Sequence, residues 1–281
     1  MQLSAFFPFY RNHNTLSANP QEAYVWASVI DATKAAMNIR FQLLPYMYTL
    51  FHLANTNGDT VMRALAWEFP DDPSLASADR QFFLGPSILV TPVLDQGATT
   101  VNGVFPGNGA DDCYYDWYTQ SPIPSSMAGN VTIDAPLGHI PVYIRGGAIL
   151  PSQPMALTTR DARKLPWSVL VALATDGSAS GYLYLDDGES IKPNATKEAT
   201  LSVDRDGRSL TASVSGTFED GIPLANVTVM GVPRAPKGDV KLNGRSVGSG
   251  VYDETSQTFK VTGLEKATTS GAWAVDWNLQ W

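Results

Sequence analysis

The chain has 281 residues, of which 44% are hydrophobic and only 16% charged, and it carries a net charge of −8. That length is enough for two or three domains with real cores. The acidic balance argues against nucleic acid or an anionic membrane surface as partner, and no run of about 18 apolar residues is present to span a bilayer.

Within nine residues of its start the chain enters an apolar run, Phe6 to Tyr10, that stops at Arg11-Asn12-His13-Asn14. The pattern predicts a strand buried on both faces whose end opens into a polar pocket. Asn19-Pro20-Gln21-Glu22 then reads as a helix start, with Asn as cap, Pro at the first helical position and Glu completing a capping box. The expected helical region runs over residues 20–56. Leu44, Met47, Tyr48 and Phe51 recur at helical spacing, Pro45 is expected to kink or break the helix, and Gly58 marks its end. Strand followed by helix is the unit that closes an α/β barrel.

After residue 60 short apolar or alternating segments recur between turn signals, which reads as all-β. They include Ser87–Val93, Val142–Ile149, Ser168–Leu173, Tyr182–Leu185, Asn226–Met230, Val240–Leu242 before an Asn243-Gly244 turn, and Phe259–Thr262. Trp273, Val275, Trp277, Leu279 and Trp281 alternate with smaller or polar residues, as in a strand with one buried aromatic face. A boundary between two β units is expected in the Pro- and charge-containing stretch from Pro151 to Pro166. The fold class is therefore mainly β: the last strand and helices of a (β/α)8 barrel over residues 1–62, one β-sandwich over 63–152 and a second over 153–281.

Three sequons, at Asn130, Asn194 and Asn226, are candidate glycosylation sites and incline the reading towards the secretory pathway. No signal peptide precedes them: a basic n-region is missing, and Pro8 and Arg11 interrupt the first apolar run. A true start upstream would reconcile the two, so the complete protein is expected to be secreted. Cys113 is the single cysteine, so no disulfide framework exists within the chain; a small half-buried hydrophobe is the expected role, the alternative being a partner in a part of the protein outside this chain.

Several blocks resemble glycoside hydrolase family 31, the α-glucosidase family. The stretch QL-x-AF-x-PF-x-RNHN from Gln2 to Asn14 is similar to a family pattern whose methionine is internal and follows Arg-Trp. Gln42–Phe51 resembles the LLPYLYTLF helix, and Arg63–Pro70 resembles the RPLFFEFP segment, departing where Ala64 and Ala66 replace larger residues. Gln81–Val93, Ile140–Pro151 and Leu183–Ser190 resemble three later signatures in the family's order. The stretch TTRDARKLPWS, Leu224–Gly231 and the Trp-rich end are most similar to the secreted α-glucosidases of filamentous fungi. The resemblance implies that Met1 corresponds to a mid-protein methionine and the chain to the last third of a larger enzyme.

The chemistry implied is that of a retaining exo-acting α-glucosidase releasing α-glucose from the ends of malto-oligosaccharides, with no metal and no organic cofactor. Such an enzyme needs two carboxyl groups about 5–5.5 Å apart. In the family these are aspartates of W-x-D-M-N-E and G-D-N blocks. None of the seven Trp is followed by Asp two positions on, and the Gly-Asp pairs are Gly58-Asp59-Thr60 and Gly238-Asp239-Val240. No catalytic residue is therefore assigned here, and the chain alone is expected to be inactive. The residue carried over is His13, which the resemblance places in the −1 subsite, hydrogen-bonding sugar hydroxyls. Imidazole suits that task because it can donate to a hydroxyl at a fixed angle. Arg11, Asn12 and Asn14 are expected to fix the loop.

The implied partners are the malto-oligosaccharide substrate, through a complete barrel, and the N-terminal part of the same enzyme. The alternative from another class is a non-catalytic β-sandwich protein that binds carbohydrate or associates with a separate chain. Other tempting residues carry plainer expectations. Asp186-Asp187-Gly188-Glu189 reads as a hairpin turn, Asp71-Asp72 and Asp111-Asp112 as turn acids, His52 as packed or solvated, and His139 as a loop residue with no nearby acidic or Cys partner. The terminal tryptophans read as a buried sandwich face.

Overall fold

Helix α1 (Ala27–Asn57) is the element against which both β regions pack, and the computed structural model describes residues Met1–Trp281 throughout. Its buried side chains, Ala36, Ile39, Leu43, Tyr46, Met47 and Leu50, join a core with the N-terminal segment and with outer sheet faces. Gly58 closes the helix in the left-handed region at φ 78°, its N–H returning to Ala54 O.

Two helical expectations are corrected. The helix begins at Ala27, not at Pro20: Asn14 Nδ2 donates to Asn19 O and Asn12 Nδ2 to Gln21 O, contacts that bind this stretch to the preceding loop. The Asn-Pro-Gln-Glu signal is held as a loop. Of the kink or break expected at Pro45, the break into two helices does not occur. A proline there costs about 3 kcal/mol in isolation, but Leu43, Pro45, Tyr46 and Met47 are all buried, and that packing outweighs the lost bond.

A third correction concerns the start. Leu3–Phe6 forms a short 3-10 helix, and the residues from Phe7 to Asn14 pair with no strand. A lone extended segment has no ladder partner here for its backbone groups, so Ala5 and Phe7 N–H bond locally to Gln2 O and Ser4 O.

The first β region holds β1 (Met62–Arg63), the short helix α2 (Leu65–Glu68), β2 (Phe82–Leu84), β3 (Ile88–Val90), β4 (Thr100–Phe105), β5 (Tyr114–Asp116), β6 (Gly129–Asp134) and β7 (Val142–Arg145). Five of these strands form one sheet in the order β1-β2-β3-β7-β5, and β4 pairs with β6 as a separate ribbon. Val101, Phe105 and Ile133 of the ribbon pack on Phe83, Leu89, Tyr114 and Tyr143 of the sheet, giving a two-layer core.

The second region holds β8 (Ala148–Ser152), helix α3 (Thr159–Ala162), β9 (Trp167–Ala172), β10 (Ala179–Leu185), β11 (Lys197–Val203), β12 (Ser209–Gly216), β13 (Leu224–Met230), β14 (Val240–Leu242), β15 (Arg245–Gly248), β16 (Val251–Asp253), β17 (Thr258–Thr262) and β18 (Trp277–Gln280). All its strands join one sheet in the order β15-β14-β18-β12-β11-β10-β8-β9-β13-β17-β16. β11 buries every second residue, so one face is apolar. That face meets its counterpart across the curl: Val169, Leu201, Leu210, Val227, Phe259 and Leu279 share one core. The mainly-β character is the one the sequence predicts. The sheets change at Gly146-Gly147, where a Cβ on Gly146 would lie 2.3 Å from Cys113 Sγ and 2.9 Å from Leu173 O.

The expected terminal strand is shorter than its alternation suggests. Only Trp277–Gln280 is extended, and Val275 is 62% exposed. Trp273 is nevertheless buried, meeting Trp167 edge-on at 5.6 Å and Trp277 at 6.1 Å.

Candidate functional site

The polar quartet after the N-terminal aromatics is presented on an anchored platform. Phe6 is fully buried, and Arg40 of α1 donates from Nη1 to Ala5 O and Phe7 O, both at 2.7 Å. The guanidinium also lies 5.4 Å from the ring centre of Tyr10. Burial pushes the Tyr10 phenol up and the Arg40 guanidinium down from their ordinary values.

Beyond Tyr10 the chain closes into a loop held by side chains. Asn12 and Asn14 donate to Gln21 O (2.8 Å) and Asn19 O (2.7 Å), and Gln21 Nε2 returns to His13 O at 2.5 Å. Asn12 and Asn14 thus fix the loop, as the sequence predicts. Arg11 differs: its Nη2 lies 3.0 Å from His13 Nδ1. A guanidinium has no acceptor, so Nδ1 must accept and the ring proton sits on Nε2. His13 is exposed, which leaves that Nε2–H edge free to donate outward. The arrangement offers one oriented donor on a braced loop, suited to a hydroxyl.

Sequence reasoning had no means of finding Arg40 or Gln21. An arginine inside a helix carries no local signal, and Gln21 becomes a loop clamp only once the helix is seen to start later.

The remaining residues singled out in the sequence have structural partners. The Asp186 carboxylate is buried, accepting from Tyr48 OH (2.7 Å) and Gly188 N (2.7 Å). Asp187 accepts from Ser190 and Glu189, and the Ser190 hydroxyl above all holds its carboxyl down to about 2. His52 stacks on Tyr184 at 3.6 Å, and His139 lies against Tyr118 at 4.4 Å. Asp72 caps a short helix through Ser74 N. Asp112 is not simply a turn acid: Arg145 grips it with Nε (2.6 Å) and Nη2 (3.0 Å) while reaching Glu68 at 3.4 Å. The Cys113 thiol is half-buried 3.4 Å from Leu173 O, and burial pushes it up. No group of three His, Cys, Asp or Glu side chains is placed to hold a metal ion.

The sequons fall in different settings. Asn130 on β6 and Asn194 in a loop are exposed. Asn226 is half-buried on β13, its Nδ2 directed at Ser168 Oγ at 3.4 Å. A glycan needs that nitrogen, so Asn226 is the least accessible of the three.

Comparison with known proteins matches residues 1–50 to the Glycosyl hydrolases family 31 TIM-barrel domain and residues 58–150 to the Glycosyl hydrolase family 31 C-terminal domain. An alpha-glucosidase of Aspergillus oryzae is 61% identical over 285 aligned residues, covering 100% of this chain and 28% of the relative. An alpha-glucosidase of Aspergillus niger is 58% identical over 283, with the same coverage. Among solved structures, a DNJ-bound glucosidase II alpha subunit superposes with a TM-score of 0.86 at 24% identity, over 100% of this chain and 32% of that one. This likeness shows the fold. The chain thus spans under a third of the length of the relatives it matches.

Proposed function

Because this chain belongs to glycoside hydrolase family 31, we propose that it is the C-terminal portion of a retaining exo-α-glucosidase acting on malto-oligosaccharides. In this reading His13 binds a hydroxyl of the terminal glucose, and the catalytic aspartates lie outside the 281 residues. The β regions hold α1, and α1 holds the His13 loop. The observation that carries the role of His13 is its 3.0 Å contact with Arg11, which leaves Nε2–H as an outward donor.

The exposure of Phe9 (73%), Leu16, Tyr24, Val25 and Trp26 (53%) supports the same reading. Large apolar side chains gathered on one stretch mark a protein contact, and the rest of a barrel is the partner they suit. The Aspergillus relatives are alpha-glucosidases, which supports an α-glucoside as substrate; the choice of malto-oligosaccharides, fungal secretion and glycans at Asn130 and Asn194 complete the proposal.

The test is complementation. The purified 281-residue chain is given an aryl α-glucoside alone and after co-expression with the preceding region of the Aspergillus oryzae relative. No turnover alone and turnover in combination are expected. Substituting His13→Ala in the combined enzyme removes a hydrogen bond worth about 1.5–3 kcal/mol if the sugar partner carries developing charge, or about 10- to 150-fold in kcat/KM. Turnover by the chain alone overturns the placement of the aspartates.

A further inference from the structure

We propose that the cavity between α1, α3 and the curled sheet is a second, non-catalytic saccharide site, built for one neutral pyranose ring. It goes beyond the function proposed above and can fail independently of it.

The cavity has a volume of about 230 Å³. That is below the roughly 300–1,000 Å³ of drug-sized pockets and limits the occupant to a single ring. Beside Leu44, Pro45, Ala162 and Leu185, its apolar lining carries five aromatic rings: Phe41 and Tyr48 from α1, Trp167 and Tyr184 from the sheet, and Phe218 after β12. Such faces suit the C–H surface of a sugar.

The polar lining has unengaged capacity in fixed positions. Gln153 is 5% exposed, and its Nε2 donates to Arg163 O (3.3 Å) and Leu165 O (2.8 Å). Two carbonyl partners settle which end of the amide is nitrogen, leaving Oε1 as an acceptor with no protein donor. Arg163 donates Nη2 to Asp186 O, and its Nε and Nη1 have no protein acceptor. Gly188 leaves room for the guanidinium in this position, which a Cβ there would displace. Asp220 accepts from Trp167 Nε1 (2.7 Å) and Ile222 N (3.0 Å), which orients its carboxylate and leaves lone pairs over.

Charge selects the class of ligand. A cation would meet Arg163 and an anion would meet Asp220, while a purely apolar ring would leave both, and Gln153, without partners. A neutral polyol satisfies donor and acceptors together. A space of about 10 Å³, sized for one water, adjoins the cavity through Leu185, Phe218 and Asp220. Trp273 lines it with a buried Nε1–H that has no protein acceptor.

Maltose and methyl α-glucoside are titrated into the 281-residue chain, following tryptophan fluorescence and amide chemical shifts. Saturable binding with Kd on the order of 1 mM is expected. Leu44→Trp, which fills the cavity from α1, and Phe218→Leu, which removes an aromatic face at similar volume, should each weaken it at least about tenfold. His13→Ala should leave it unchanged. Absence of saturation, full affinity in both cavity variants, or an equal response to cyclohexanol overturns the proposal. Loss of binding in His13→Ala with the cavity variants unaffected also overturns it, and does so without touching the proposed function.

Discussion

Thr49 Oγ1 accepts the backbone N–H of Tyr184 at 3.1 Å while donating to Pro45 O at 2.9 Å, so one hydroxyl ties α1 to β10 across 135 residues of sequence. Thr49 is 2% exposed, so bulk solvent does not reach the pair. Thr49→Val keeps the shape but leaves the Tyr184 N–H without an acceptor, a loss of about 1–3 kcal/mol. A fall in the urea midpoint with an unchanged slope checks this, whereas an unaltered midpoint would show the tie to be dispensable.

Arg145 should matter through geometry more than through charge. It holds Asp112 with two nitrogens, reaches Glu68, and lies 4.4 Å from the Phe69 ring centre. Glu68 in turn meets Arg63 at 2.6 Å. The Arg145 and Asp112 side chains are 23% and 15% exposed, so solvent screening reduces the pairing below the fully buried limit. Arg145→Lys loses the fork and the stacking and should cost about 1–2 kcal/mol. Thermal unfolding of Arg145→Lys beside Asp112→Asn measures it, and equal stability of all three proteins would contradict it.

Alkali should unfold the chain through its buried phenols. Tyr46, Tyr114 and Tyr115 donate to Leu84 O, Pro106 O and Leu173 O, and burial pushes each well above the ordinary value of about 10. A group whose folded pKa is raised stabilises fully below its unfolded value, and that contribution is lost as pH rises through the folded one. Stability should therefore decline from pH about 10 upward. Phenolate absorbance of these three should appear only with loss of circular dichroism; their ionisation in a still-folded chain would refute the burial argument.

The tautomer of His13 can be read without any catalysis. Nitrogen NMR of the isolated chain at neutral pH should find the proton on Nε2, and Arg11→Ala should produce a mixture of tautomers. Because Asn12, Asn14 and Gln21 hold the loop independently, the backbone shifts of residues 12–21 should stay in place. A proton on Nδ1 in the parent chain would remove the argument for an outward donor.

The alternation within strands, the Gly58 stop and the Asn243-Gly244 turn were legible because each depends on neighbours a few residues apart. Asn243 and Gly244 adopt φ of 50° and 77°, the conformation a tight hairpin demands. The His13 loop was legible as a motif and not as a geometry. Its aromatics read as a strand because apolarity was present, yet a strand exists only where another chain segment supplies hydrogen bonds.

What the amino-acid order determined by itself is the membership of the family, the mainly-β texture and the candidacy of His13, since all three are carried by short contiguous patterns. Only the tertiary structure decided where α1 begins, that it continues through Pro45, how the later strands merge into one curled sheet, and which protein group sits on His13 Nδ1. These follow from contacts between residues remote in sequence, such as Arg40 with Ala5 and Thr49 with Tyr184. Burial and hydrogen-bond satisfaction there outweigh the local preferences that a linear pattern reports.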